Sequence, residues 1–232
     1  MECIILAGGL GTRLQSVIGE FPKCMAPVNG KPFLHYLFEY LQTQGCTRVV
    51  LSLGYKHEVI LDWLKKEQPA IDTLYVVEEQ PLGTGGGIRL ALEKIEAEEA
   101  IILNGDTMFQ VDLPALIDFH NEMQSETTIA LKEMHEFERY GVVMTAPDGR
   151  VKFFEEKQYR KTGLINGGIY VVNRNSLLQR DLREKFSFEK DYLEANVTNA
   201  RFYGKQFDGY FIDIGIPEDY SRAQEDLKKL FG

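Results

Sequence analysis

The strongest constraint on the fold is an apolar run, Cys3-Ile4-Ile5-Leu6, that passes directly into Ala7, Gly8, Gly9 and Gly11. Such a run predicts a buried strand. Glycines at its end let backbone amides approach an anion with no side chain between them and the phosphate oxygens. Arg13 and Lys23 place positive charge on either side of the loop, one as a planar fork and one as a point charge. The stretch from Ala7 to Pro32, AGGLGTRLQSVIGEFPKCMAPVNGKP, therefore reads as a phosphate cradle. Two common templates are excluded: from Gly9 the third glycine of G-x-G-x-x-G would fall at Leu14, and G-x-x-x-x-G-K-[ST] has no match.

Strand and helix signals alternate after the cradle. The apolar segment FLHYLFEYLQTQ predicts a helix with Pro32 in its first turn and Gly45 past its end, and His35 within it reads as a packing residue. A strand over Arg48–Leu53, a helix from about Glu58 to Glu67 and a strand over Leu74–Val77 follow, as expected of parallel βαβ units. The segment EEQPLGTGGG, Glu78–Gly87, reads as a second glycine-rich turn ahead of a helix over Ile88–Ile95. Flexible punctuation is the alternative, but its position after a parallel strand is where open α/β sheets bind ligands. The strand Ala100–Asn104 delivers Asp106 to the same edge, placed to hold a hard cation such as magnesium, or to make an Asx turn.

From Thr127 the pattern becomes β-rich: TTIALKEM, the hairpin GVVMTAPDGRVKFFEE and INGGIYVV. This half reads as a lid or substrate wall whose polar points are Tyr140 with Gly141, Glu156 with Lys157, and Asn166-Gly167-Gly168. One or two helices are expected over Leu177–Leu193, then strands over Ala200–Lys205 and Tyr210–Ile214, then a helix from Pro217 to Leu230 with Glu218 and Asp219 in its first turn. Asp213 stands between Ile212 and Ile214, and a carboxylate in an apolar strand is rare unless paired or metal-bound.

A length of 232 residues suits one α/β domain. The net charge of -9 opposes nucleic-acid binding, so an anionic substrate must be held by local positive charge. Three cysteines without C-x-x-C spacing argue against a disulfide framework or a cysteine zinc site and for a reducing cytoplasm. The N-terminus lacks the pattern of an export signal and no run approaches a membrane span, so no membrane association is expected.

Seven stretches in order, LAGGLGTRL, FPKCMAPVNGKP, PLGTGG, NGD, EEK, NGGIY and DIGIPEDY, resemble the sugar-1-phosphate nucleotidyltransferases. Within them PLGTGG, RYGVV, FEEK and LINGGIY are most similar to the guanylyltransferases of heptose 1-phosphate, then to those of mannose 1-phosphate; uridylyl and thymidylyl transfer to another sugar are the remaining alternatives. Two departures from many relatives stand out: Gln158 follows Lys157 in place of proline, and Gly167 replaces the alanine of NAG. A glycosyltransferase would usually present paired acids, whereas Thr107 and Met108 follow Asp106.

The resemblance implies a Rossmann-like α/β fold, a mostly parallel sheet flanked by helices, with a β-rich sugar-binding portion in the second half. It implies one domain over 1–232, about 1–125 for the nucleotide and about 126–232 for the sugar phosphate. No appended left-handed β-helix, hence no acetyltransferase activity, is expected. The substrates implied are GTP and a sugar 1-phosphate, the cofactor Mg²⁺; the oligomeric state stays open, homodimer included. Carried over residue by residue, Gly8, Gly9, Gly11 and Thr12 enclose the triphosphate, Arg13 its β and γ portion, and Lys23 lies near the α-phosphate. Leu6, Ala7, Glu78, Pro81, Gly83, Thr84 and Asn104 complete the nucleotide side, with Glu78 and Gly83 near the base. Asp106 and Asp213 share the metal; Gly141, Glu156, Asn166 and Gly167 line the sugar and Lys157 its phosphate. Catalysis then rests on Arg13, Lys23, Asp106 and Asp213, with no base needed, since the sugar phosphate is already a nucleophile.

Overall fold

A computed structural model describes residues 1–9, 14, 19 and 21–232. Gly11, Thr12 and Arg13, three residues of the expected triphosphate cradle, lie outside the described residues.

The apolar run forms strand β1 (Glu2–Ala7), paired in parallel with β4 (Arg48–Leu53) on one side and β6 (Glu99–Asn104) on the other; β5 (Asp72–Val77) adds in parallel beyond β4. Alternation along β1 decides what each face carries. Cys3, Ile5 and Ala7 join the layer with helix α1 (Phe33–Thr43), while Ile4 joins the opposite layer with α3 (Gly83–Leu92). Burial of each isoleucine contributes about 1.5–3 kcal/mol. Helix α1 follows Pro32 at its N-cap, one residue outside the first turn, and Gly45 beyond it takes φ +77. Helix α2 (His57–Glu67) buries only Ile60. His35 lies on α1 between Glu39 and Glu67, each carboxylate 3.1 Å from a ring nitrogen, a packing and hydrogen-bonding role.

The β-rich half continues this sheet and is no separate lid. The long strand β11 (Arg160–Asn173) runs antiparallel to β6 on one side and to β8 (Thr127–Phe137) on the other. Nine strands result among the described residues, with β9 (Val142–Thr145) and β10 (Val151–Glu155) at one edge and β12 (Phe202–Gln206) parallel to β8. The first-half strands of this sheet are parallel, as expected; antiparallel pairing enters it with β8 to β11, and the short β2 (Pro27–Val28) and β3 (Lys31–Pro32) form a separate antiparallel ladder. Between Asn166 and Tyr170 β11 bulges, and Gly168 takes φ +75. A bulge of this kind re-aims side chains next to sites.

The second glycine-rich stretch departs from expectation. Gly83–Gly87 is no loop: α3 starts at Gly83, and Ile88 lies in its middle. The cause is close packing. A Cβ on Gly83 would stand 2.6 Å from the Phe186 carbonyl oxygen, one on Gly85 2.1 Å from the Phe186 ring and one on Gly86 2.7 Å from the Glu184 carbonyl oxygen. The expected helices of 177–193 are a short α5 (Arg174–Leu178) and a π-helical segment (Phe188–Glu194).

On α4 (Leu113–Glu122) His120 is 2% exposed and its Nδ1 lies 2.9 Å from the Thr128 hydroxyl. Burial holds its imidazole down at about 4. The unfolded chain takes up this proton near 6.5 and the fold does not, so stability is expected to fall by about 3 kcal/mol as pH drops through that window. Urea midpoints at pH 7 and 4.5 check it; a wild-type difference no larger than that of His120→Gln would count against it.

Candidate active site

The parallel strands end together. Beyond the carboxyl ends of β1, β4, β5 and β6 opens a cavity of about 650 Å³, and every described residue of the expected nucleotide side lines it: Leu6, Ala7, Gly8, Gly9, Lys23, Glu78, Pro81, Gly83, Thr84, Asn104 and Asp106. Glycine is required where backbones touch. A Cβ on Gly54 would lie 3.1 Å from the Gly8 carbonyl oxygen, and one on Gly105 2.5 Å from that of Leu6. Gly105 N–H donates to that Leu6 oxygen at 3.0 Å, stitching β6 to β1 and fixing Asp106 at the edge.

Two carboxylates meet there through a short ladder. Strand β13 (Phe211–Asp213) pairs antiparallel with β7 (Thr107–Phe109), Asp213 opposite Thr107, so Asp213 comes alongside Asp106. Lys23 reaches in from a 3₁₀ turn (Lys23–Met25), its Nζ 2.8 Å from Asp106 Oδ2. Burial, and then the charge of Asp106, push the Asp213 carboxyl above the usual range, against the Gly215 N–H that donates to its Oδ1 at 2.8 Å. A Cβ on Gly215 would crowd Asp213 Oδ1 at 2.8 Å and Lys23 Nζ at 3.4 Å.

Among the described residues no group of three or more His, Cys, Asp or Glu could hold a metal. Asp106 and Asp213 nevertheless suit Mg²⁺, which takes one or two carboxylates and fills the remaining positions with substrate phosphate and water. Their mutual repulsion is what a cation relieves. Cys24, buried behind Lys23, is pushed up to about 12 by burial and by Asp106, so it stays a thiol at neutral pH.

A second cavity of about 530 Å³ adjoins the first, with Lys23, Asn104 and Glu189 lining both. All five residues expected on the sugar side, Gly141, Glu156, Lys157, Asn166 and Gly167, line it, as does Asp213. The bulge of β11 supplies the floor: Gly168 N–H donates to Asn166 Oδ1 at 3.0 Å and Asn166 Nδ2 donates to the Tyr170 hydroxyl at 2.8 Å. Asn166 thus keeps one N–H for a ligand. A Cβ on Gly168 would sit 2.7 Å from Asn104 Nδ2. Arg139, also in this cavity, pairs with Asp219 at the start of helix α6 (Pro217–Phe231).

Some residues of the walls were not expected. Ser52, Gly54 and Tyr55 enter the first cavity from the end of β4, and Ser187, Glu189, Lys190 and Glu194 enter the second. Ser187 does carry a helix-start signal, its side chain accepting from Lys190 N–H at 3.2 Å, but that signal says nothing about which way the segment faces. Glu78 lines the first cavity with one oxygen committed, since its Oε2 accepts from Leu82 N–H at 2.9 Å. Thr84 does so with its hydroxyl committed too: it donates to Glu189 Oε2 at 2.8 Å and accepts from Phe188 N–H at 2.9 Å.

At the edge of the parallel sheet a lysine thus stands beside a carboxylate pair, between two adjoining cavities. Residues 2–229 match the Nucleotidyl transferase family, and the chain belongs to it. It is 51% identical over 228 residues to D-glycero-alpha-D-manno-heptose 1-phosphate guanylyltransferase of Aneurinibacillus thermoaerophilus, covering 98% of this chain and 99% of the relative. Identity to the protein of that name from Campylobacter jejuni subsp. jejuni serotype O:2 is 48% over 220 residues, 95% of this chain and 97% of the relative. Among solved structures, HddC from Yersinia pseudotuberculosis complexed with GMP-PN superposes with a TM-score of 0.88 at 41% identity, covering 97% of this chain and 99% of that one. No helix among the described residues is long and apolar enough to cross a membrane.

Proposed function

We propose that this protein joins a sugar 1-phosphate to GTP, giving a GDP-sugar and pyrophosphate, with D-glycero-α-D-manno-heptose 1-phosphate as the sugar. The observation that carries this reading is the junction itself: Lys23 and Asn104 line both cavities, with Asp106 on one side and Asp213 on the other. Near full-length identity to two heptose 1-phosphate guanylyltransferases supports the choice of base and sugar.

In this reading residues up to about 125 hold the nucleotide and those from about 126 the sugar phosphate. A phosphate oxygen of the sugar 1-phosphate attacks the α-phosphorus of GTP, the bond from that phosphorus to the bridging oxygen breaks, and pyrophosphate leaves with the electron pair. Lys23 lies where the two phosphates meet and offsets their repulsion; Lys157 holds the sugar phosphate, and Gly141, Glu156 and Asn166 its hydroxyls. Asn104 keeps the junction narrow through its contact with Gly168. Asp106 and Asp213 hold Mg²⁺, which when bound neutralises phosphate charge. Three free buried thiols fit a reducing cytoplasm.

A pyrophosphate-release panel tests the reading, crossing GTP, UTP, CTP, ATP and dTTP with heptose, mannose, glucose and N-acetylhexosamine 1-phosphates in the presence of Mg²⁺. The highest kcat/KM is expected for GTP with the heptose phosphate. Strong turnover only with another nucleotide would refute guanylyl transfer, and preference for mannose 1-phosphate would move the sugar assignment.

A further inference from the structure

Thr84 and the glycines beside it face the protein's own chain as much as a ligand. Gly85 N–H donates to the Phe186 carbonyl and Phe186 N–H to that of Leu82, both at 3.0 Å, so residues 186–189 are strapped to the first turn of α3. Thr84 completes the strap by giving its only O–H to Glu189 and accepting from Phe188 N–H. Ser187 donates to the same Glu189 oxygen at 3.1 Å. Oε1 of Glu189 has no hydrogen-bond partner among the described residues.

The strap joins the two cavities. Thr84 lines only the first, Ser187, Lys190 and Glu194 only the second, and Glu189 both. Glu189 also lies in the first turn of a π-helical segment, a rare geometry that is frequent at functional sites. We propose that Thr84 and Glu189 are a positioning pair through which the nucleotide-side turn sets the sugar-side wall, so that a bound nucleotide raises affinity for the sugar phosphate. A nucleotide seated against Pro81, Gly83 and Thr84 restrains the first turn of α3. The bond from Thr84 then fixes the Glu189 carboxylate, leaving Oε1 to accept a sugar hydroxyl.

The inference rests on the guanylyltransferase reading. Thr84→Val keeps the shape and removes the hydroxyl, Thr84→Ser keeps the hydroxyl, and Glu189→Ala removes the acceptor. In steady-state kinetics with GTP and the heptose 1-phosphate, Thr84→Val is expected to raise KM for the sugar phosphate about tenfold, the worth of one hydrogen bond to a charged group. Thr84→Ser restores the wild-type value. Thr84→Val with Glu189→Ala adds nothing beyond the larger single effect, as for residues acting through one contact. By calorimetry, a non-hydrolysable GTP analogue tightens sugar-phosphate binding in the wild type and no longer does so in Thr84→Val. Failure of serine to restore, effects that multiply in the double variant, or a GTP analogue that tightens sugar-phosphate binding in Thr84→Val as much as in the wild type would overturn the coupling. A wild type inactive with every sugar 1-phosphate and GTP would overturn the reaction, and the coupling with it.

Discussion

Lys23→Ala is expected to lower kcat by about 10² to 10³ with the fold intact, the scale seen when one charge-stabilising donor is lost from a preorganised site. Lys23 lines both cavities with its Nζ 2.8 Å from Asp106 Oδ2. In a chain of net charge -9 it places a positive charge where the two cavities adjoin. Its loss removes an attraction that strengthens as negative charge crowds at the α-phosphorus, so the effect falls on kcat more than on KM. Lys23→Arg is expected to recover little, because a planar fork cannot occupy the place of a compact ammonium beside Gly215. Single-turnover rates of pyrophosphate release, with melting curves as the control for folding, check this. An alanine variant within threefold of wild type would remove Lys23 from the chemistry.

Asp213→Asn is expected to stabilise the ligand-free protein while lowering kcat by about 10² to 10³. Burial, then Asp106, hold the Asp213 carboxyl above its ordinary value, so the ionised form is less favourable in the fold than in the unfolded chain. For a raised carboxyl the folded state binds the proton more tightly. Stability therefore declines as pH rises from the unfolded value through the folded one, and stays lower above it. Asparagine keeps an oxygen for the Gly215 N–H and carries no charge. The variant should melt higher than wild type at pH 8, and the difference should vanish at acid pH where Asp213 is protonated in both states. Mg²⁺ adds a readout independent of turnover: it should raise the wild-type melting temperature through relief of the carboxylate repulsion, and raise that of Asp213→Asn less. A variant that melts lower than wild type at pH 8, or one that responds equally to Mg²⁺, would contradict this account.

Much of the fold was legible because it is written in local periodicity. The run from Cys3 to Leu6 and the helix after Pro32 stand within a residue or two of where their patterns put them, and the β-rich half begins at Thr127 as its alternation implies. The described residues of the expected site fall into two neighbouring cavities for a related reason. In a parallel sheet every strand end points to one edge, so a residue read as following a strand is already located there. From sequence Gly83–Gly87 reads as a turn because glycine is ambiguous locally: it marks loops, and it also marks places where another backbone comes too close for a Cβ. The partner here, residues 184–186, lies far along the chain and leaves no trace in the local pattern. Glu189, Lys190 and Glu194 escaped notice for the same reason, since a charged residue on a helix is most often solvated.

The sequence by itself determined the alternation of strands and helices, the glycines that follow the first strand, the acidic residues at strand ends and the family. These are properties of side-chain type and short spacing, which hydrophobic burial and backbone sterics translate directly into elements. Only the tertiary structure decided that Asp106 and Asp213 stand side by side, that Lys23 lies between two cavities, and that the Thr84 hydroxyl is committed to Glu189. Those contacts join segments from distant parts of the chain. They follow from how the β13–β7 ladder, the bulged β11 and the π-helical segment pack together, where a shift of one residue in register would turn the same side chains to another face.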